Sequence, residues 1–139
     1  MNTMTNFIAL VARILLAFLF VQAGYNKLVG GTAGAVTNMT NHGIPFADIL
    51  VWGAVAVELI GGLMLVAGLF ARWVALAIAA YTSALALIFH AYWLAPAAEA
   101  RIERVIFLNH LSIIGGMLAI VAFGAGCFSL DAAMRRKSA

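Results

Sequence analysis

The sequence has one cysteine, two prolines and few charges: eight Lys and Arg and five Asp and Glu among 139 residues, or 9% charged. A single Cys127 excludes an internal disulfide and offers no thiolate pair for a metal. So few charged side chains cannot cover a water-soluble chain this short, because small folds carry a large surface relative to their core. A nucleic-acid partner is excluded as well. The net charge of +3 and the pI near 9.5 rest mainly on Arg135, Arg136 and Lys137, a short tail rather than a basic face. Nucleotide-binding glycine loops, nucleophile elbows, haem-attachment pairs and iron–sulfur spacings are also missing.

Apolar residues dominate instead, at 65% of the chain and a mean hydropathy of +1.07. A bilayer core needs about 20 apolar residues of helix, and four runs of that length are present. The expected spans cover about 7–27, 49–70, 73–94 and 105–128. They predict an all-α integral membrane protein, a four-transmembrane-helix bundle forming a single domain over residues 1–139. Ala71 and Arg72 read as a tight hairpin between spans two and three, whereas 24–48 and 95–104 read as loops on the other side. Arg135, Arg136, Lys137 and Arg72 then oppose Lys27, Arg101 and Arg104, and the positive-inside rule puts both termini in the cytoplasm. No Lys or Arg precedes Arg13, so the positive region of a signal peptide is missing and span one reads as uncleaved, after a plain lead-in of Met, Thr and Asn.

Isolated charges in hydrocarbon cost several kcal/mol and face a bundle interior or a cavity, so the polar residues inside the spans carry most information. Counting about 1.5 Å per residue from the loop side, Glu58 lies roughly 14 Å deep, His110 roughly 7 Å and His90 roughly 6 Å. Asn109 and Gln22 fall in the same half, and Lys27 ends span one with a stem long enough to reach Glu58. These six residues form a candidate polar pocket. A structural carboxyl tying helices together explains Glu58 about equally well. His90 and His110 lack a third ligand at helical spacing, so no metal site is expected. Trp52, Trp73, Tyr92 and Trp93 read as interfacial anchors, Gly61 and Gly62 as small residues for close helix approach, and Cys127 as a small buried side chain ending span four.

Several elements in order resemble the DoxX family. Arg13 followed by Gly24, Tyr25, Asn26, Lys27 and Leu28 resembles its Arg and G-x-x-K-L elements; Gly43, Ile44 and Pro45 its loop; Glu58, Gly61 and Gly62 its E-x-x-G-G helix. Gly68 with Arg72 resembles its G-x-x-x-R hairpin, Gly115 and Gly116 its glycine-rich last span, and Gly124, Ala125, Gly126, Ser129, Leu130 and Asp131 its closing motif. Ala125 stands where the family has proline and Cys127 at a commonly basic position.

The resemblance implies a small bacterial inner-membrane protein with four spans. It also implies a quinone-linked or redox-associated membrane subunit that lacks a redox centre of its own and would hold a quinone for a partner. The alternative is a non-enzymatic anchor recruiting a soluble oxidative-stress or thiol-metabolism protein, with the buried charges serving helix association. The lipid bilayer is the expected partner in either case, with a soluble redox protein or a second copy of the chain beside it. A conduction path is disfavoured by the scarcity of charge in the cytoplasmic half.

Overall fold

Every backbone N–H and C=O in hydrocarbon must be satisfied within the chain, which makes a helix the local solution for segments of this composition. The computed structural model describes residues 3–137, and these contain helices and turns with no strand. Helix α1 covers Thr3–Asn26 and passes through a π turn, Lys27–Gly31, into α2, Thr32–Asn41. Gly30, at φ 147°, kinks the chain there in a conformation that suits glycine. Span two is α3, Ala47–Val55, then a second π turn, Ala56–Gly61, then α4, Gly62–Ala67. Helices α5, Ala71–Phe89, and α6, Ala100–Phe123, follow, and α7, Leu130–Lys137, closes the described chain. Four helical stretches, Thr3–Asn41, Ala47–Ala67, Ala71–Phe89 and Ala100–Phe123, are long and apolar enough to cross a membrane.

The spans pack in sequence order: α1 against span two, span two against α5, α5 most extensively against α6, and α6 lightly against α1. This up-and-down order puts the start of α1, the turn after α4 and helix α7 at one end, the terminal face. The segments 27–46 and 90–99 form the other end, the loop face. Ala17, Phe20, Leu65, Ala75, Ile78 and Met117 make the buried core. Two glycines set how closely α1 meets span two. A Cβ on Gly24 would lie 2.6 Å from the Leu59 nitrogen, and one on Gly62 would lie 2.7 Å from Val21 Cγ2. Gly61 faces Ile78 with ordinary clearance, so only Gly62 of the pair is needed for approach. The outer surface, with Leu15, Phe18, Ile60, Leu87 and Leu118 exposed, is the face such a bundle turns to lipid.

Polar groups gather at both ends. At the terminal face Arg13, 1% exposed, donates from Nη1 to the Ala125 carbonyl and from Nη2 to the carbonyls of Val66 and Phe128, at 3.1 and 2.8 Å. One guanidinium thus ties α1 to the end of span two and to the segment after α6. Asp131, in the first turn of α7, accepts from the Phe70 and Ala71 nitrogens at 2.7 and 2.9 Å. It supplies acceptors to two donors at the α5 start that have no intrahelical partner. Asn6, which by composition belongs to a plain lead-in, is buried and accepts from the Cys127 nitrogen at 3.0 Å.

Several boundaries differ from the sequence expectation. The hairpin is Gly68–Phe70, and Ala71 already begins α5. Span three ends at Phe89 rather than 94, because the chain leaves helical geometry at His90, φ −126°. Span four runs from Ala100 to Phe123 instead of 105–128; its first five residues include Arg101, Glu103 and Arg104, which read as loop by composition. Gly124 stops α6 at φ 81°, and Cys127 therefore lies exposed in the following segment, which corrects the expectation of a buried thiol within the span. The segment 24–48, expected to be loop, contains α2, whose Thr37 and Thr40 hydroxyls donate back to the Ala33 and Val36 carbonyls.

Candidate functional site

One π turn lies at the loop end of span one and the other in the middle of span two, and each carries one half of a buried ion pair. A π turn adds a residue to the helical repeat and re-aims the side chains within it, a device common at functional sites. Lys27, in the first, donates to both oxygens of Glu58, in the second, at 2.9 and 2.7 Å. The Glu58 side chain is 4% exposed and that of Lys27 23%. Tyr81, from the middle of α5, donates its hydroxyl to the same carboxylate at 2.7 Å. Three spans thereby meet at one carboxylate, and each polar partner offsets the cost of burying it.

These groups line a cleft of about 180 Å³. Ala35 and Met39 of α2 form its roof, so the kink at Gly30 folds a helix over the ion pair. Leu85 and Phe89 form an apolar wall, and His90 closes the end. His90 Nδ1 lies 2.8 Å from Glu103 Oε2, and its ring lies against that of His110, tilted by 35°, with centroids 5.0 Å apart. His110 Nδ1 lies 2.8 Å from the Ile106 carbonyl; a carbonyl only accepts, so Nδ1 carries the proton and Nε2 is the open nitrogen. Phe89 and His90 also border a second cavity of about 450 Å³ with His42, Glu99 and Glu103, which makes His90 the partition between cleft and loop face.

Of the six residues expected in the polar pocket, Lys27, Glu58 and His90 line the cleft, and His110 stands one ring behind His90. Gln22 and Asn109 do not join them; both are exposed on the outside of the bundle. Asn109 and His110 are consecutive on a helix and so point about 100° apart, which lets only one face α5. Sequence reasoning misses Tyr81, because one tyrosine among the polar interruptions of span three has no signature that marks it as a partner of Glu58.

Lys27 bears three N–H donors and the Glu58 oxygens occupy two, leaving one for a guest. His90 Nε2 is a further polar group at the end of the cleft. Among the described residues no group of His, Cys, Asp and Glu is arranged to hold a metal ion.

A helical bundle with four spans long enough to cross a membrane, and a buried Lys–Glu–Tyr network beside a small apolar cleft, defines the class: a polytopic membrane protein with a polar site between its helices. The chain belongs to the DoxX family, whose sequence profile matches residues 8–91 and so takes in Arg13 and every residue lining the cleft. It is 34% identical over 128 residues to Inner membrane protein YqjF of Escherichia coli (strain K12), an alignment covering 92% of each chain. It is 31% identical over 122 residues to Inner membrane protein YphA of the same strain, covering 88% of this chain and 86% of that one. No solved structure matches it.

Proposed function

We propose that this chain is an inner-membrane protein whose loop-face cleft holds the carbonyl head of a lipid-soluble ligand, with a quinone the best fit, as a subunit working with a redox partner. The names of the two bacterial relatives support the inner membrane. Arg72, Arg135, Arg136 and Lys137 on the terminal face outweigh Lys27, Arg101 and Arg104 on the other, which by the positive-inside rule favours cytoplasmic termini. The observation that carries the ligand reading is the Lys27–Glu58–Tyr81 network at the edge of an apolar-walled cleft.

A quinone brings two carbonyl oxygens and reversible two-electron, two-proton chemistry; everything else falls to the protein. The third proton of Lys27 is a donor for one carbonyl. Tyr81 donates its hydroxyl proton to the Glu58 carboxylate and holds that carboxylate in place beside the cleft, and His90 with Glu103 links the cleft to the loop-face cavity. Leu85, Phe89 and Met39 supply the apolar contacts a ring needs, and a cleft of 180 Å³ admits a head group while its chain stays in lipid. Electrons come from the partner.

The second reading, a membrane anchor for a soluble oxidative-stress or thiol-metabolism protein, draws on the exposed Arg135, Arg136 and Lys137. In that reading the Lys27–Glu58 pair serves packing alone. Native mass spectrometry of the protein released gently from its own membrane separates the two. A stoichiometric quinone mass that disappears in Glu58→Gln supports the cleft. A bare bundle, or one carrying only lipid and a soluble protein, overturns the quinone reading in favour of the anchor.

A further inference from the structure

A separate cavity of about 410 Å³ lies at the terminal face, at the opposite end of the bundle from the Lys27–Glu58 pair. Its floor is the backbone that follows α6, and its walls are the starts of α5 and α7. Two guanidinium groups line it, Arg72 from α5 and Arg135 from α7, and neither has a hydrogen-bond or ion-pair partner among the described residues. Arg72 is exposed, with its guanidinium beside Gly124. Its Nε and Nη2 stand 3.4 and 3.5 Å from where a Cβ on Gly124 would be, ordinary contact distance, so the guanidinium packs on the turn that Gly124 makes at φ 81°. The carboxylate that lines the cavity, Asp131, is already engaged by the Phe70 and Ala71 nitrogens. Phe70, Trp73 and Phe123 stand at the rim, exposed by 57, 74 and 80%.

Two cations without partners converging on one cavity fit an oxyanion, since a guanidinium grips phosphate oxygens in a planar, paired geometry. Exposed aromatic rings at a helix end sit at head-group depth in a bilayer, and basic recesses between helices beside them take anionic lipid heads. We propose that this cavity binds the phosphate of an anionic phospholipid, held between Arg72 and Arg135, with the acyl chains lying over Trp73 and Phe123. The shared chemistry is that of a phosphate ester; the aromatic rim assigns it to lipid rather than to a soluble compound.

The test reconstitutes the full chain in bilayers of phosphatidylcholine with phosphatidylglycerol and measures lipids retained after extraction by native mass spectrometry. Near a membrane each Arg favours an anionic lipid by roughly fivefold, so Arg72→Gln and Arg135→Gln should each cut phosphatidylglycerol retention about fivefold and the double variant about thirtyfold. Arg101→Gln and Arg104→Gln, at the loop face, should leave it unchanged. A second measurement leaves the arginines intact. In a Trp52→Phe, Trp93→Phe background, where Trp73 is the one remaining tryptophan, phosphatidylglycerol brominated on its acyl chains should quench fluorescence more than brominated phosphatidylcholine at the same mole fraction. Equal quenching by the two lipids, or retention that ignores Arg72 and Arg135, overturns the site. Displacement of the retained lipid by millimolar glycerol phosphate overturns its assignment to lipid and makes it a site for a soluble phosphate ester.

Discussion

Lys27 and Glu58 are 31 positions apart, yet the Lys27 ammonium donates to both carboxylate oxygens of Glu58, and each residue sits in a π turn of its own span. An isolated buried charge is costly, whereas a closed pair replaced by apolar groups of similar size is often neutral. Lys27→Met or Glu58→Leu alone should therefore destabilise the bundle by about 3–5 kcal/mol, and the double variant by less than either single. Unfolding titrations in mixed micelles across the four proteins measure this, and additive effects would contradict the pairing.

Tyr81→Phe keeps the ring and removes only the hydroxyl that Glu58 accepts. A hydrogen bond to a charged acceptor contributes about 1.5–3 kcal/mol, so stability should fall by that amount in wild type. In a Glu58→Leu background the same change should cost almost nothing. A loss of equal size in both backgrounds would show that Tyr81 acts elsewhere.

Arg13 should resist its conservative replacement. Its planar fork reaches three carbonyls on two separate segments, and a lysine ammonium on a flexible stem cannot reproduce that spread. Arg13→Lys is expected to lower stability by at least about 3 kcal/mol, taking two charged hydrogen bonds as lost. Thermal unfolding indistinguishable from wild type would refute the three-way tie.

Two glycines in the same backbone region should behave differently. Gly43, at φ 72°, has open space around it, with nothing within 4 Å of where a Cβ would stand, so Gly43→Ala costs only backbone strain of about 1 kcal/mol. Gly68, at φ 68°, would put its Cβ 2.5 Å from Ser129 Cβ and 2.7 Å from Arg13 Nη1. Gly68→Ala should then cost clearly more, by disturbing Arg13 and the segment after α6. Comparable melting temperatures for the two variants would count against the close packing at the terminal face.

Orientation has a direct readout because the one cysteine, Cys127, is exposed at the terminal face. With cytoplasmic termini, a membrane-impermeant maleimide should label it in inverted vesicles and leave it untouched in intact spheroplasts. The reverse pattern would invert the topology.

The four spans and the Lys27–Glu58 pairing are legible in the sequence because a charge within an apolar run has few places to go except toward an opposite charge on a neighbouring helix. Tyr81 is not, since its role depends on which way α5 is rotated against span two. Gln22 and Asn109 join the expected pocket by depth alone; depth is readable from residue count, but rotation about a helix axis is set by packing. The π turns are invisible because an inserted residue leaves no compositional trace. Helix α2 reads as loop because Thr and Asn weaken its apolar pattern, although it supplies the roof over Glu58. Cys127 reads as part of span four for a simpler reason: apolar residues continue past Phe123, and only the backbone turn at Gly124 shows that α6 has stopped.

Photolabelling of the membrane-embedded protein with an azidoquinone reads out whether the cleft beside Glu58 receives a quinone head. With a quinone head in the cleft, label falls on the Tyr81–His90 stretch and on Ala35–Met39, is competed by unlabelled quinone and is lost in Glu58→Gln. Label scattered along the lipid-facing surface, or unaffected by Glu58→Gln, would contradict it.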